Sequence, residues 1–175
     1  MLPAARTLAI ISIVLSGAIF GFFYAWVCST MWGLDQADPQ VAVAAMQAMN
    51  ASVRNAVFFP AFFLTPVLLG LTAGAAYAAH SRAAAGWFIA AAGLYLSLGL
   101  LLTVLVNVPM NEALAAVGTP TSTDEARRAW AEYSGPWQAG NTVRTVASGV
   151  VLALAAIGLS SLHSPRSTRS AGCAT

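Results

Sequence analysis

Four long apolar stretches limit most strongly what this sequence can fold into. They cover about residues 8–32, 55–79, 83–108 and 142–162. Each is long enough to cross the hydrocarbon core of a bilayer, which takes about 20 residues in a helix. Because lipid offers no hydrogen-bond partners to backbone groups, each stretch must be helical. The sequence therefore predicts an all-α integral membrane protein, a four-helix bundle formed by one four-span domain over residues 1–163.

Composition supports a membrane protein and excludes other classes. Of the 175 residues, 58% are hydrophobic and 8% are charged, whereas a soluble domain carries about 25% charged residues. The net charge of +2 comes from arginines scattered over the ends of the apolar stretches. We therefore expect the lipid bilayer as the surroundings and no nucleic acid as a partner. Cys28 and Cys173 have no metal-binding spacing, and we expect no disulfide.

The first apolar stretch resembles a signal peptide at its start, where Arg6 precedes it. It continues to Trp32, well beyond the roughly 7–15 residues of a signal-peptide core, and it lacks a cleavage motif of small residues. We therefore expect this stretch to remain in the protein as the first span.

The charges that flank the stretches predict their orientation. Arg6, Arg82, Arg166 and Arg169 lie at one set of span ends, whereas all 6 acidic residues lie in the two longer connections. Arginine-rich ends stay in the cytoplasm. We therefore predict a cell-membrane protein with both termini cytoplasmic, and a disordered cytoplasmic tail over residues 164–175, which are rich in Ser, Thr and Arg.

Each of the two outer connections carries the start signal of a short helix. Asp38-Pro39 is typical of an N-cap followed by a proline at the first helical position. Ser122 or Thr123 precedes Asp124-Glu125, and acids suit the first turn of a helix. We expect the second short helix to end near Ser134-Gly135-Pro136. Both would be extracytoplasmic helices over the mouth of the bundle.

Two asparagines flank a proline at the outer end of the third stretch. Asn107 and Asn111 lie on either side of Pro109, which lacks the N–H that a regular helix needs. The helix therefore either kinks or stops there. The two amides either satisfy the carbonyls freed by the proline or point into a pocket at the bundle mouth.

A second polar group leads into the fourth stretch. Trp137, Asn141 and Arg144 fall at positions i, i+4 and i+7, which share one helix face. Trp137 is either an interfacial anchor or part of a site, and Arg144 either extends to the surface or has a buried partner. Glu112 is the partner that we predict for Arg144. Asn50 either joins this cluster or is solvated in its loop.

Motifs of common cofactors are missing from the sequence. His80 and His163 both fall at span ends, which gives no support to a haem held by two histidines. There is no Glu-x-x-His pair for a di-iron centre, and no Gly-rich phosphate loop or CxxC motif. We expect neither a metal nor another cofactor.

Three segments resemble one known family. They are NVPMNE at 107–112, WQAGNTVR at 137–144 and AMQAMN at 45–50, the last running on to Phe58, with Trp130 between the first two. Together they resemble the anthrone oxygenase-like family of small four-span membrane proteins, long catalogued as a domain of unknown function. The resemblance covers nearly the whole chain. Fungal members are linked to the oxidation of anthrones to anthraquinones by molecular oxygen, with no metal or flavin implicated, whereas most bacterial members have no assigned activity.

The resemblance implies a hydrophobic aromatic or quinone-like ligand and an oxygenase reaction. Arg144 with Asn111 or Asn141 would stabilise an oxyanion, and Glu112 would accept a proton. Substrate would be held by Asn107, Trp137, Trp130, Phe58 and Asn50. The alternative is a non-catalytic accessory or assembly protein in which the polar cluster is structural. The sequence leaves open whether the protein is catalytic, and whether it is a monomer or a homo-oligomer.

Overall fold

The computed structural model describes residues 1–162, which form five helices joined by short connections. In chain order these helices are α1 (Leu2–Gln36), α2 (Pro39–Ser52), α3 (Phe58–Ala78), α4 (Arg82–Ala116) and α5 (Thr123–Ser160). All except α2 are long and apolar enough to cross a membrane. The predicted all-α membrane fold is therefore confirmed. The predicted tail, 164–175, lies outside the described residues.

The four long helices pack in a ring, in which α1 and α4 each contact both α3 and α5. Alanines fill much of the core between them, and small side chains allow membrane helices to approach closely. Gly158 shows how close this approach is, because a Cβ atom there would lie 2.8 Å from the ring of Phe88. Close packing of small side chains therefore helps to hold the ring together.

The two ends of the ring differ in what they carry. At one end, the Arg6 Nη2 atom donates to the carbonyl of Leu162 at 3.3 Å, and the Ser81 hydroxyl donates to the carbonyl of Ser161 at 3.0 Å. We call this the terminal end. The opposite end, where residues 37–57 and 117–122 connect the helices, is the loop end.

The short helix α2 covers part of the loop end. Asp38 caps its start as predicted, since its Oδ1 atom accepts a hydrogen bond from the Gln40 amide at 2.9 Å. The Gln47 Nε2 atom donates to the carbonyls of Leu114 and Gly118, at 2.9 and 2.8 Å, where α4 ends. These bonds fasten α2 to α4. The side of the membrane on which α2 lies stays a prediction.

The second predicted short helix is not separate, because Thr123–Ser160 is one continuous helix with Pro136 inside it. The prediction of an end at Ser134-Gly135-Pro136 is wrong. Contacts on both sides of the proline explain this. Trp130 Nε1 and Gln138 Nε2 donate to the two carboxylate oxygens of Asp35 in α1, at 3.0 and 2.9 Å. This carboxylate holds the segments before and after Pro136 in line.

Helix α4 changes its winding and its neighbours along its length. Two π-helical segments, Tyr95–Leu101 and Thr103–Asn107, precede Pro109, and the helix neither stops at that proline nor before Ala116. Helix α3 contacts α4 mainly over Arg82–Leu94, and its contact with Tyr95–Leu101 is much smaller. Beyond these segments α4 packs on α5 and α2 instead. The two helices α3 and α4 therefore separate towards the loop end.

Candidate functional site

A cavity of about 370 Å³ occupies the space where α3 and α4 separate. This volume is within the range of small-molecule sites, roughly 300–1,000 Å³. Side chains from all five helices line it. The lining is mostly apolar, and its aromatic side chains include Phe22, Phe23, Trp26, Phe58, Phe62 and Trp137. Flat aromatic molecules fit such walls through stacked and edge-to-face contacts.

Arg144 is the charged group inside this cavity, and it is only 4% exposed. Its Nη1 and Nη2 atoms donate to Thr103 Oγ1 at 3.3 Å and to Asn141 Oδ1 at 3.1 Å. Its Cζ atom lies 4.6 Å from the ring centre of Phe23 and 5.4 Å from that of Trp137, where cation–π attraction operates. Its Nε atom is buried without a hydrogen-bond partner in the described chain.

The predicted ion pair between Arg144 and Glu112 is not formed. Glu112 Oε1 lies 3.8 Å from Arg54 Nη2 instead, with side chains 64% and 54% exposed, respectively. Both of these residues line the cavity, and their exposure places them at its rim. Arg144 makes no ion pair with any residue in 1–162. A buried charge without an opposite charge costs free energy, so an electron-rich ligand atom beside Arg144 would be stabilised.

Asn111 is held so that its amide nitrogen has no partner among residues 1–162. Its Oδ1 atom accepts hydrogen bonds from the Tyr133 hydroxyl and from Trp137 Nε1, both at 2.8 Å. The Tyr133 hydroxyl in turn accepts a bond from Asn50 Nδ2 at 3.3 Å. Since Oδ1 is occupied, the Nδ2 group is the donor that Asn111 has left to offer to the cavity it lines. Arg144, which uses one N–H of each Nη group in the bonds to Thr103 and Asn141, keeps further Nη donors, so Asn111 and Arg144 both supply N–H donors to one cavity.

Asn141 differs from Asn111 because both halves of its amide are used within the protein. Its Nδ2 atom donates to the carbonyl of Phe23 at 3.1 Å, and its Oδ1 atom accepts from Arg144. The side chain ties α5 to α1 and fixes the guanidinium. Asn141 thus orients Arg144 rather than offering a donor of its own.

Asn107 and Trp130 do not line the cavity. Asn107 is fully buried behind it, and its Nδ2 atom donates to the carbonyl of Trp137 at 3.3 Å. A Cβ atom at Gly140 would lie 2.8 Å from Asn107 Oδ1, so this glycine permits the close approach. Trp130 packs beneath α2 and bonds to Asp35. The other predicted site residues do line the cavity, namely Asn50, Phe58, Asn111, Glu112, Trp137, Asn141 and Arg144.

The sequence reasoning missed Tyr133, Thr103 and Phe23, which hold Asn111 and Arg144 in place. Tyr133 stands four residues before Trp137 and so shares its helix face, a signal that could have identified it. Thr103 stands four residues before Asn107 in the same way. Phe23 had no such signal, because it comes from α1 and meets the site only in the folded chain.

The polar groups of the cavity favour recognition of an acceptor oxygen. Apart from the rim carboxylate of Glu112, they are amide, hydroxyl and guanidinium groups. Within residues 1–162 no three His, Cys, Asp or Glu side chains cluster closely enough to hold a metal ion. The described residues form a cavity with aromatic side chains and N–H donors in its wall.

A comparison with models of protein families matches residues 50–154 to the family described as anthrone oxygenase. The match covers more than half of the chain and includes Asn50, Asn111 and Arg144, while the cavity residues of α1 lie outside it. A search of curated proteins and a search of solved structures found no match.

Proposed function

This chain belongs to the anthrone oxygenase family, and we propose that it binds an anthrone-type aromatic molecule in its cavity and oxidises it with molecular oxygen. The observation that supports this is that Arg144 and Asn111, which both keep N–H groups beyond those bonded within the described chain, line one cavity that has aromatic side chains in its wall. The walls suit the faces of the rings. The N–H donors can form hydrogen bonds to the carbonyl oxygen of such a molecule.

The proposed reaction begins with an acidic C–H group that is conjugated to a carbonyl. Its proton leaves to a base, and the negative charge is then shared with the carbonyl oxygen. Donors fixed in advance stabilise this anion more than the neutral ketone. The carbanion carbon gives electrons to oxygen and forms a C–O bond, and protonation yields a hydroperoxide. Loss of water leaves the second carbonyl, so anthrone and O₂ become anthraquinone and H₂O.

Glu112 is the base in this proposal, because it is the carboxylate that lines the cavity. Trp137 and Phe58 provide ring contacts, and the bond from Trp137 Nε1 to Asn111 fixes the plane of the indole. Asn141 and Asn50 are positioning residues, since they hold Arg144 and Tyr133.

The depth of Arg144 strengthens the effect of its charge. It lies roughly 24 Å along α5 from Ser160, at the rise of an α-helix, and so within the hydrocarbon thickness of about 30 Å if α5 crosses it from Ser160. Electrostatic attraction is stronger in such a medium than in water. An oxyanion beside Arg144 is therefore stabilised more than it would be at the surface.

Oxygen uptake with anthrone, measured on the protein in lipid nanodiscs, tests the proposal. We expect Arg144→Gln to lower kcat/KM by about 10²- to 10³-fold, as loss of an oxyanion donor does elsewhere. Asn111→Asp removes the free N–H but keeps an acceptor for Tyr133 and Trp137, and it should also lower the rate. Arg127→Gln removes an exposed arginine from the same helix and should leave the rate unchanged. Wild-type uptake no faster than with empty nanodiscs would reject the oxygenase.

The alternative function is a non-catalytic accessory or assembly protein. It is favoured by the bonds through which Asn107, Asn111 and Asn141 join different helices or helix segments. In that case Arg144→Gln and Asn111→Asp would lower the melting temperature as much as Asn107→Ala does. Variants that stay folded but lose anthrone binding would count against it.

A further inference from the structure

We propose that the ligand enters this cavity sideways from the bilayer, through the gap between α3 and α4, and that the protein therefore selects lipid-soluble, uncharged aromatics. This inference rests on the proposed function, since it concerns the ligand of the same cavity. It adds the route and the physical class of the substrate.

The gap is bordered by apolar side chains that face both the cavity and the outer surface. Phe59, Phe63 and Val104 line the cavity, yet they are 43%, 46% and 46% exposed. Phe63 lies one turn inside α3, and Val104 lies in the π-helical segment where α4 has moved away from α3. Exposed surface on a membrane-spanning helix faces lipid. In a bilayer, the border of the gap would therefore face the acyl chains.

At the loop end, two charged side chains lie at the rim of the cavity. Arg54 belongs to the connection between α2 and α3, Glu112 belongs to α4, and their side chains meet at 3.8 Å. Gln47 fastens α2 above the same region. An apolar ring passing this way would have to displace the ion pair and its hydration. The passage between Phe63 and Val104 has no such charge to desolvate.

The distribution of the ligand favours the same route. A three-ring aromatic ketone concentrates in the bilayer rather than in water, because burial of its apolar surface is favourable. Its carbonyl oxygen can then reach Arg144 and Asn111 from the gap, with the rings following between the aromatic walls. A ligand with a fixed charge on its rings would not cross the apolar border.

The test uses the protein in lipid vesicles, with anthraquinone as a probe that has the shape of the proposed product. Quenching of tryptophan fluorescence reports its arrival, since Trp26 and Trp137 line the cavity. We expect Val104→Phe, which narrows the gap, to slow association by about tenfold, a typical range for on-rates within one site. Phe63→Ala widens the gap and should speed association. Anthraquinone-2-sulfonate, which is charged, should quench far more slowly than anthraquinone.

Two controls separate the routes. Leu105→Phe adds the same ring beside Val104, at a residue that is 69% exposed and does not line the cavity, and it should leave the rate unchanged. Arg54→Ala opens the rim and should also have no effect. If Arg54→Ala speeds association while Val104→Phe and Phe63→Ala do not change it, or if the sulfonate is as fast as anthraquinone, the sideways route is rejected and the binding function stands. Wild-type protein without saturable quenching would reject both.

Discussion

At the scale of single residues, the polar side chains of the site divide into two kinds. Asn107 and Asn141 each donate a hydrogen bond to a backbone carbonyl of another helix, and Asn141 also accepts one from Arg144. These two residues therefore have a structural part in the site. Asn111 keeps its Nδ2 group, and Arg144 keeps further Nη N–H groups, without partners among the described residues, and both side chains line the cavity. Spacing in the sequence put all four residues in one candidate site. It could not separate the two kinds, because their partners come from other helices.

Gly140 gives a prediction at this scale. Gly140→Ala would place a Cβ atom 2.8 Å from Asn107 Oδ1 and push that buried amide off the Trp137 carbonyl. Overpacking of this kind costs about 1–3 kcal/mol, more than the roughly 0.5–1 kcal/mol that alanine gains over glycine in a helix. We expect the melting temperature in detergent to fall by about 2–4 °C per kcal/mol lost.

Gly93→Ala is the matched control for this variant. Among the described residues, no atom from another helix lies within 4 Å of a Cβ atom at Gly93, so helix propensity should act alone and raise the melting temperature slightly. A Gly140→Ala variant as stable as Gly93→Ala would show that the contact with Asn107 is not tight.

At the scale of elements, two prolines inside the long helices, Pro66 and Pro136, are compensated by hydrogen bonds from neighbouring helices. Pro66 cannot donate to the carbonyl of Phe62 one turn earlier. The buried hydroxyl of Tyr95 in α4 donates to that carbonyl at 2.8 Å instead. Asp35 of α1 plays a related part for α5 by binding on both sides of Pro136. A helix-ending signal in the sequence is thus overridden by tertiary contacts.

Tyr95 gives a prediction at this scale. Tyr95→Phe should leave the Phe62 carbonyl without its donor in an apolar interior, at a cost of about 1–3 kcal/mol. Adding Pro66→Ala to this variant restores the backbone N–H and should recover part of the loss. The measurement is the unfolding free energy in mixed micelles.

Tyr77→Phe serves as the control for the lost hydroxyl, since Tyr77 lies in α3 and is 63% exposed. We expect it to change stability by less than about 0.5 kcal/mol. If Pro66→Ala lowers the stability of Tyr95→Phe further, the hydroxyl does not replace the missing amide.

At the scale of the whole molecule, charge and structure agree on which segments share an end. Arg6 contacts Leu162, and Ser81, next to Arg82, contacts Ser161. The arginines at residues 6 and 82 therefore flank one end of the ring, and the cavity lies at the other. The sequence rule for arginine places the terminal end in the cytoplasm, which would put the cavity near the opposite face of the membrane.

Topology reporters in a bacterial host check this orientation. Green fluorescent protein fused after Thr175 should fluoresce, and alkaline phosphatase fused there should be inactive. Phosphatase inserted in the connection 117–122 should be active, because it would lie outside the cytoplasm. The reverse pattern would invert the molecule and place the cavity on the cytoplasmic side.

The sequence by itself determined the four membrane-length helices and the residues that gather at one end. This was possible because a helix in lipid must satisfy its own backbone, so length and hydropathy are local signals. Only the tertiary structure decided that α5 runs through Pro136, that Glu112 pairs with Arg54 rather than Arg144, and that α4 leaves α3 to open a cavity. These outcomes depend on partners far away in the chain, such as Asp35, and no local pattern encodes them.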